Sequence, residues 1–194
     1  MSQTDVLDRI VNYAKSWQGV KEIPGNLGWE NEEFQSLLEQ ADWEEGQAWC
    51  LFFVKAVYYK VFGAIDYGGL IEANFTGCAT QTFTNCKNNP RFQTATKNEV
   101  AGAVAIFRLF NRGQPDWRGH GGIVIEPGGG DYGGHFKTVD GNTSPEGIRT
   151  GGMVAFNTWH NNYIEKVDDG LKLEGFIFPP LPLEKLELRN IELP

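Results

Sequence analysis

The sequence predicts an α+β fold: helices first, then an antiparallel sheet of about five or six strands. Two observations carry this. In the first ninety or so residues, apolar side chains recur at helical spacing or fill a run too long for a strand. From residue 100 onward the chain breaks into short β-type runs separated by Gly and Pro clusters. Helices followed by strands, without βαβ alternation, argue for an antiparallel sheet and against a doubly wound parallel one.

Each element has its own signal. Leu7, Ile10, Ala14 and Trp17 fall on one helical face, with Ser2 or Thr4 available as a cap. Gly19, Pro24, Gly25, Asn26 and Gly28 mark a long turn. A second short helix fits Asn31 to Gln40, with Phe34, Leu37 and Leu38 inward. The third, from about Trp49 to Phe62, is apolar on nearly all sides, as a central core helix would be. Thr-rich composition lowers helix propensity over Thr76 to Lys87. The expected strands are Val104–Phe107, Gly122–Glu126, Lys137–Asp140, Met153–Phe156 and Leu173–Phe178. The domain is expected over 1–180, with a Pro/Leu/Glu-rich tail at 181–194 that wraps the domain or hangs loose.

Composition narrows the function classes. A formal net charge of −8 argues against nonspecific nucleic-acid binding, which needs Lys and Arg to neutralise phosphates, and fits an anionic membrane surface poorly. Residues 1–10 lack the basic and apolar segments of a secretory signal, and no apolar run reaches membrane-spanning length. The expectation is a monomer made in the cytoplasm, without membrane insertion, that acts elsewhere only after release or delivery. Three cysteines, Cys50, Cys78 and Cys86, are an odd count for a disulfide framework. No CxxC or HExxH spacing suggests a metal, and no cofactor is expected.

The chemistry centres on Gly46-Gln47-Ala48-Trp49-Cys50. Cys50 falls where a polar loop gives way to the core helix, and a helix N-terminus favours thiolate over thiol. A thiol catalyst also needs an imidazole and a group to orient it. His120 stands in Gly119-His120-Gly121-Gly122-Ile123-Val124, among glycines that admit a substrate backbone. Asp140 and Asn142 follow in Thr138-Val139-Asp140-Gly141-Asn142-Thr143. Two residues apart on a strand, they project from one face, and either could fix the imidazole tautomer.

In this order, these motifs resemble the CHAP branch of the papain-like cysteine peptidases, a family (NlpC-like in its broader grouping) that includes many bacterial and phage cell-wall hydrolases. The stretches Gly19–Asn26 and Glu174–Pro180 also look like that branch, so the resemblance covers roughly residues 5 to 180. It implies a papain-like fold with the nucleophile at a helix start. Cys50 matches the nucleophile and His120 the general base. Asp140 stands where such proteins often carry Glu, and Asn142 matches the Asn two residues later, leaving open which one orients His120. The oxyanion donor is the Cys50 backbone N–H or Gln47. The implied function is cleavage of a peptidoglycan amide, by an N-acetylmuramoyl-L-alanine amidase or a peptide endopeptidase. Such an enzyme is an endolysin of a bacteriophage released with a holin's help, or an injected amidase toxin neutralised by an immunity protein. The alternative from another class is a noncatalytic wall- or protein-binding domain on the same fold.

Other residues have plainer readings. Cys78 is the weaker candidate nucleophile, and Cys86 reads as structural. His135 reads as exposed after a hairpin turn and His160 as part of a surface loop. Glu22 reads as a structural tie or a substrate contact. Six tryptophans are more than simple core packing would need, so Trp49 and Trp117, beside Cys50 and His120 in sequence, are expected to line a substrate cleft.

Overall fold

A computed structural model describes residues 3–144 and 151–180. The 181–194 tail and the Ser2 cap lie outside the described residues. Five helices precede the sheet: α1 (Gln3–Lys15), α2 (Glu32–Glu39), α3 (Cys50–Gly63), α4 (Gly68–Asn74) and α5 (Ala79–Asn88). Six strands follow: β1 (Gln93–Ala95), β2 (Val104–Asn111), β3 (Gln114–Glu126), β4 (His135–Thr143), β5 (Met153–His160) and β6 (Gly170–Phe178). They form one sheet in the order β1-β6-β2-β3-β4-β5, antiparallel throughout. The α+β expectation therefore describes the molecule.

Local chemistry explains the boundaries. α1 buries Val6, Ile10 and Ala14 at helical spacing, with Trp17 just beyond its end. Asn31 starts α2 by accepting the Phe34 N–H on its side-chain oxygen at 2.9 Å, as an N-cap does. α3 is buried from Cys50 to Tyr58 and carries the centre of the core. α5 forms although Thr80, Thr82 and Thr84 are poor helix formers. It buries Ala79, Thr80, Thr82, Phe83 and Cys86, and tertiary burial overrides a propensity of tenths of a kcal/mol per residue. α4 and β1 carry no expectation from sequence: Gly68-Gly69 reads as a turn, and three residues are too few to show a period.

Both faces of the sheet are covered. On the helix side Val104, Ile106, Ile123, Ile125, Val139, Val154 and Ile177 join the core of α1–α5. On the other side the curled sheet closes over a second cluster containing Ala105, Phe107, Val124, Phe136, Leu173 and Phe176. That double burial leaves β2 and β3 without an apolar/polar alternation in their central stretches.

The tryptophans correct the cleft expectation. Trp17, Trp29, Trp43 and Trp49 are all buried in the core. Trp29 sits 4.6 Å from Trp43 and 5.1 Å from Trp49, centroid to centroid, and Phe34 packs between Trp17 and Trp29. Trp49 is a fully buried core residue, so it is not a cleft wall. Trp117 is 72% exposed.

Candidate active site

The ladder between β3 and β4 places the site. Its last pair toward the site is Ile123↔Val139, and none of the residues 120–122 is laddered to β4. Gly122 makes the fork possible: a Cβ there would stand 1.6 Å from Asp140 Oδ1. Gly141, on the other prong, leaves room for Trp49, whose ring would meet a Cβ at 2.6 Å. The start of α3 occupies this region, with Leu51 against Gly121.

His120 and Asp140 meet across the fork. His120 Nε2 lies 3.1 Å from Asp140 Oδ2, and both side chains are fully buried. The other ring nitrogen, Nδ1, is buried with no hydrogen bond of ordinary geometry. The Cys50 thiol nevertheless lies close enough to interact with the ring by hydrogen bonding and charge. Burial pushes the imidazole toward neutrality, but hydrogen bonds and charge from Asp140 and Cys50 outweigh it, raising its pKa from 6.5 to about 10. The ring is therefore drawn toward its protonated form, held at Nε2 by Asp140 with the Cys50 thiol beside it.

Asp140 is itself held. Its Oδ2 also accepts from Asn157 Nδ2 at 2.9 Å and from the Trp159 indole at 3.2 Å. Trp159 shares its N–H with Thr138 Oγ1 at 2.8 Å and lays its ring 5.7 Å from the imidazole. Asn157 and Trp159 are two apart on β5 and so share a face, opposite Thr138 and Phe136 on β4. Sequence reading passed over both. Their signal was the alternation Asn157-Thr158-Trp159 next to the Asp140 strand, which has meaning only once β4 and β5 are known to pair.

Asn142 does different work from Asp140. With its amide turned to satisfy both neighbours, Nδ2 donates to the Gly151 carbonyl at 2.8 Å and Oδ1 accepts the Trp49 N–H at 3.2 Å. Its φ of +53° is a left-handed conformation that Asn tolerates better than most residues. Asn142 thus ties β4 to the residue before Cys50, while the partner of His120 is Asp140. Glu22 pins the same tryptophan from the other end by accepting its indole N–H, which is the structural tie and not an open contact.

The remaining candidates are spread out. Gln47 is exposed and its Oε1 accepts the Glu44 N–H at 3.1 Å, so its side chain is engaged in its own turn. The first N–H groups of α3 have no intrahelical partners, and Cys50 supplies one of them. Cys78 precedes α5, with its sulfur 3.4 Å from Thr80 Oγ1 and 3.7 Å from the Trp117 carbonyl. Cys86 is buried, and burial pushes its thiol up to about 12. His135 opens β4 and is exposed, as expected, whereas His160 ends β5 and pairs with Glu165 at 3.4 Å, in a strand and not a loop. Among the described residues no group of His, Cys, Asp and Glu could hold a metal ion, and no helix is long and apolar enough to cross a membrane.

A helix-start cysteine beside a carboxylate-braced imidazole on an α+β sheet brings together the residue types that thiol chemistry requires. Among solved structures, the fold is similar to that of a wild-type endolysin, LysIME-EF1, with a TM-score of 0.54 at 20% identity. The similarity covers 92% of this chain and 66% of that one, so this chain spans about two thirds of that endolysin's length. At that identity the likeness establishes the fold. No family model matches the chain, and no curated protein matches it.

Proposed function

We propose that this chain is a cysteine hydrolase that cuts an amide bond of peptidoglycan. One observation carries the reading: a buried imidazole, clamped at Nε2 by Asp140, interacts with the thiol of a cysteine at a helix start. The fold shared with an endolysin and the CHAP-like order of Cys50, His120 and Asp140 support the wall as substrate.

Cys50 is the nucleophile in this mechanism. At rest its proton is already held on His120, and the imidazolium charge favours the thiolate beside it. The thiolate attacks the amide carbonyl carbon, and the oxyanion is met by the Cys50 N–H at the positive end of α3. Collapse breaks the C–N bond, and Nδ1 returns the proton to the departing amine, leaving a thioester. Water then gives a proton to Nδ1 and attacks the thioester carbonyl. The C–S bond breaks and the carboxylic acid leaves. Asp140 holds the ring through Nε2 and stabilises its charge. Asn142 positions the nucleophile through Trp49.

The test uses purified sacculi with the wild type and Cys50→Ala, scoring released amino groups and fragment masses. The wild type should release fragments and Cys50→Ala should not. Equal release by both proteins overturns the thiol mechanism. Absence of release by the wild type across several wall chemotypes favours the binding-domain reading. Fragment masses separate a sugar–peptide amidase from a peptide endopeptidase.

A further inference from the structure

A cavity of about 710 Å³ lies outside the Cys50–His120 pair, between α5 and the β1-β6-β2 end of the sheet. That volume falls within the range of small-ligand sites. In a chain of net charge −8, its lining holds Lys87, Arg108 and Lys172 against one carboxylate, Glu174. Arg108 is already engaged: its Nε and an Nη bond both Glu174 oxygens, at 2.5 and 3.2 Å. The two lysines form no ion pair among the described residues. Lys172 places its ammonium 5.8 Å from the Phe110 ring and 6.0 Å from Tyr163, and both rings line the cavity. Lysines kept for solubility belong on convex surface. Here they flank a concave, aromatic-walled space.

The cavity shares a strand rung with the residue before His120. Gly119, the neighbour of His120, pairs with Arg108, which pairs with Lys172, so one rung crosses β3, β2 and β6. Two strand spacings put the Lys172 backbone about 10 Å from Gly119. A Cβ on Gly119 would meet Ala79 of α5, and one on Gly121 would meet Leu51 of α3. Residues two apart on a strand share a face, so the cavity flanked by α5 and the start of α3 lie on the same side of the sheet. An extended peptide covers about 10 Å in three residues.

Resting on the peptidoglycan reading above, we propose that this cavity binds a carboxylate of the wall's stem peptide, a few residues from the amide presented to Cys50. Lys87 and Lys172 take the carboxylate, and Phe110 and Tyr163 pack against the peptide's apolar atoms. Two available ammonium groups, with Arg108 committed to Glu174, suit one or two carboxylates better than a phosphodiester polyanion.

The experiment titrates full-length Cys50→Ala with a synthetic stem tetrapeptide bearing free carboxylates, and with the same peptide fully amidated, by calorimetry. Amidation should weaken binding at least tenfold. Adding Lys87→Ala and Lys172→Ala should do the same for the free peptide while leaving the melting temperature unchanged. Lys172→Arg should retain binding. Affinities equal within twofold in both comparisons, or no binding of the free peptide, overturn the proposal. Wild-type fragment release from sacculi, scored alongside, reports on the hydrolase reading by itself: release without carboxylate-dependent binding removes only the cavity's role.

Discussion

Asn157 donates a hydrogen bond of 2.9 Å to the same Asp140 oxygen that faces His120, and a second of 3.0 Å to Thr143 Oγ1. The carboxylate is therefore fixed from β5 before it can fix the imidazole on β3. Asp140→Asn should lower turnover of sacculi by about 10²- to 10⁴-fold, the usual contribution of a positioned acid–base group. Asn157→Ala should lower it less, by roughly tenfold for one lost hydrogen bond, and should move the alkaline limb of the pH–rate profile downward. An unmoved limb in Asn157→Ala would mean that the residue only packs.

The raised His120 pKa makes stability depend on pH. The ordinary value is 6.5 and the folded value about 10. A group raised on folding contributes its full stabilisation below its unfolded value and loses it as pH climbs through the folded one. Thermal melts should show the wild type losing stability between about pH 6.5 and 10, by a few kcal/mol at most. Asp140→Asn should flatten that slope. A wild-type melting temperature constant across the window contradicts the buried ion pair.

Gly122→Ala tests the fork. The new methyl would stand 1.6 Å from Asp140 Oδ1, a distance no rotamer adjustment tolerates, so the carboxylate must move. Overpacking of this kind costs about 1–3 kcal/mol. Activity should fall further than that stability loss explains, and a crystal structure should show Asp140 displaced from His120. Gly63→Ala, with nothing within 4 Å of its Cβ, is the control expected to behave as wild type.

Glu22→Ala leaves the buried Trp49 indole N–H without its acceptor. Stability should fall by about 1–3 kcal/mol in chemical denaturation. Because Trp49 directly precedes Cys50, alkylation of Cys50 by iodoacetamide should change rate in the folded variant. Cys86, buried and pushed up to about 12, should stay unlabelled until the protein unfolds.

Much of this was legible in the chain, for reasons that differ by element. α2 and α3 were readable because helical apolar spacing and an apolar run too long for a strand are local signals. Five strands were readable because Gly and Pro punctuate them. α4 and β1 were not: one opens with two glycines and the other has three residues at the sheet's edge. Cys50, His120 and Asp140 could be singled out by residue type and order, but whether Asp140 or Asn142 faces the ring depends on where β3 and β4 part. That parting is set by tertiary packing around Gly122 and Gly141. The tryptophans misled because residue type alone does not distinguish a cleft wall from a core cluster. Asn157 and Trp159 acquire a purpose only from the β4–β5 register.

Cys50 opens the helix at the centre of the core, and the residue before it is anchored through Asn142 and Glu22. The sulfur therefore has no hinge of its own: to shift it is to shift the protein's least yielding part. Heat inactivation should then track global melting, with no earlier loss of activity from a loosened loop. If Cys50 is the proposed nucleophile, it cannot reach for its target, and the substrate must bend to the protein.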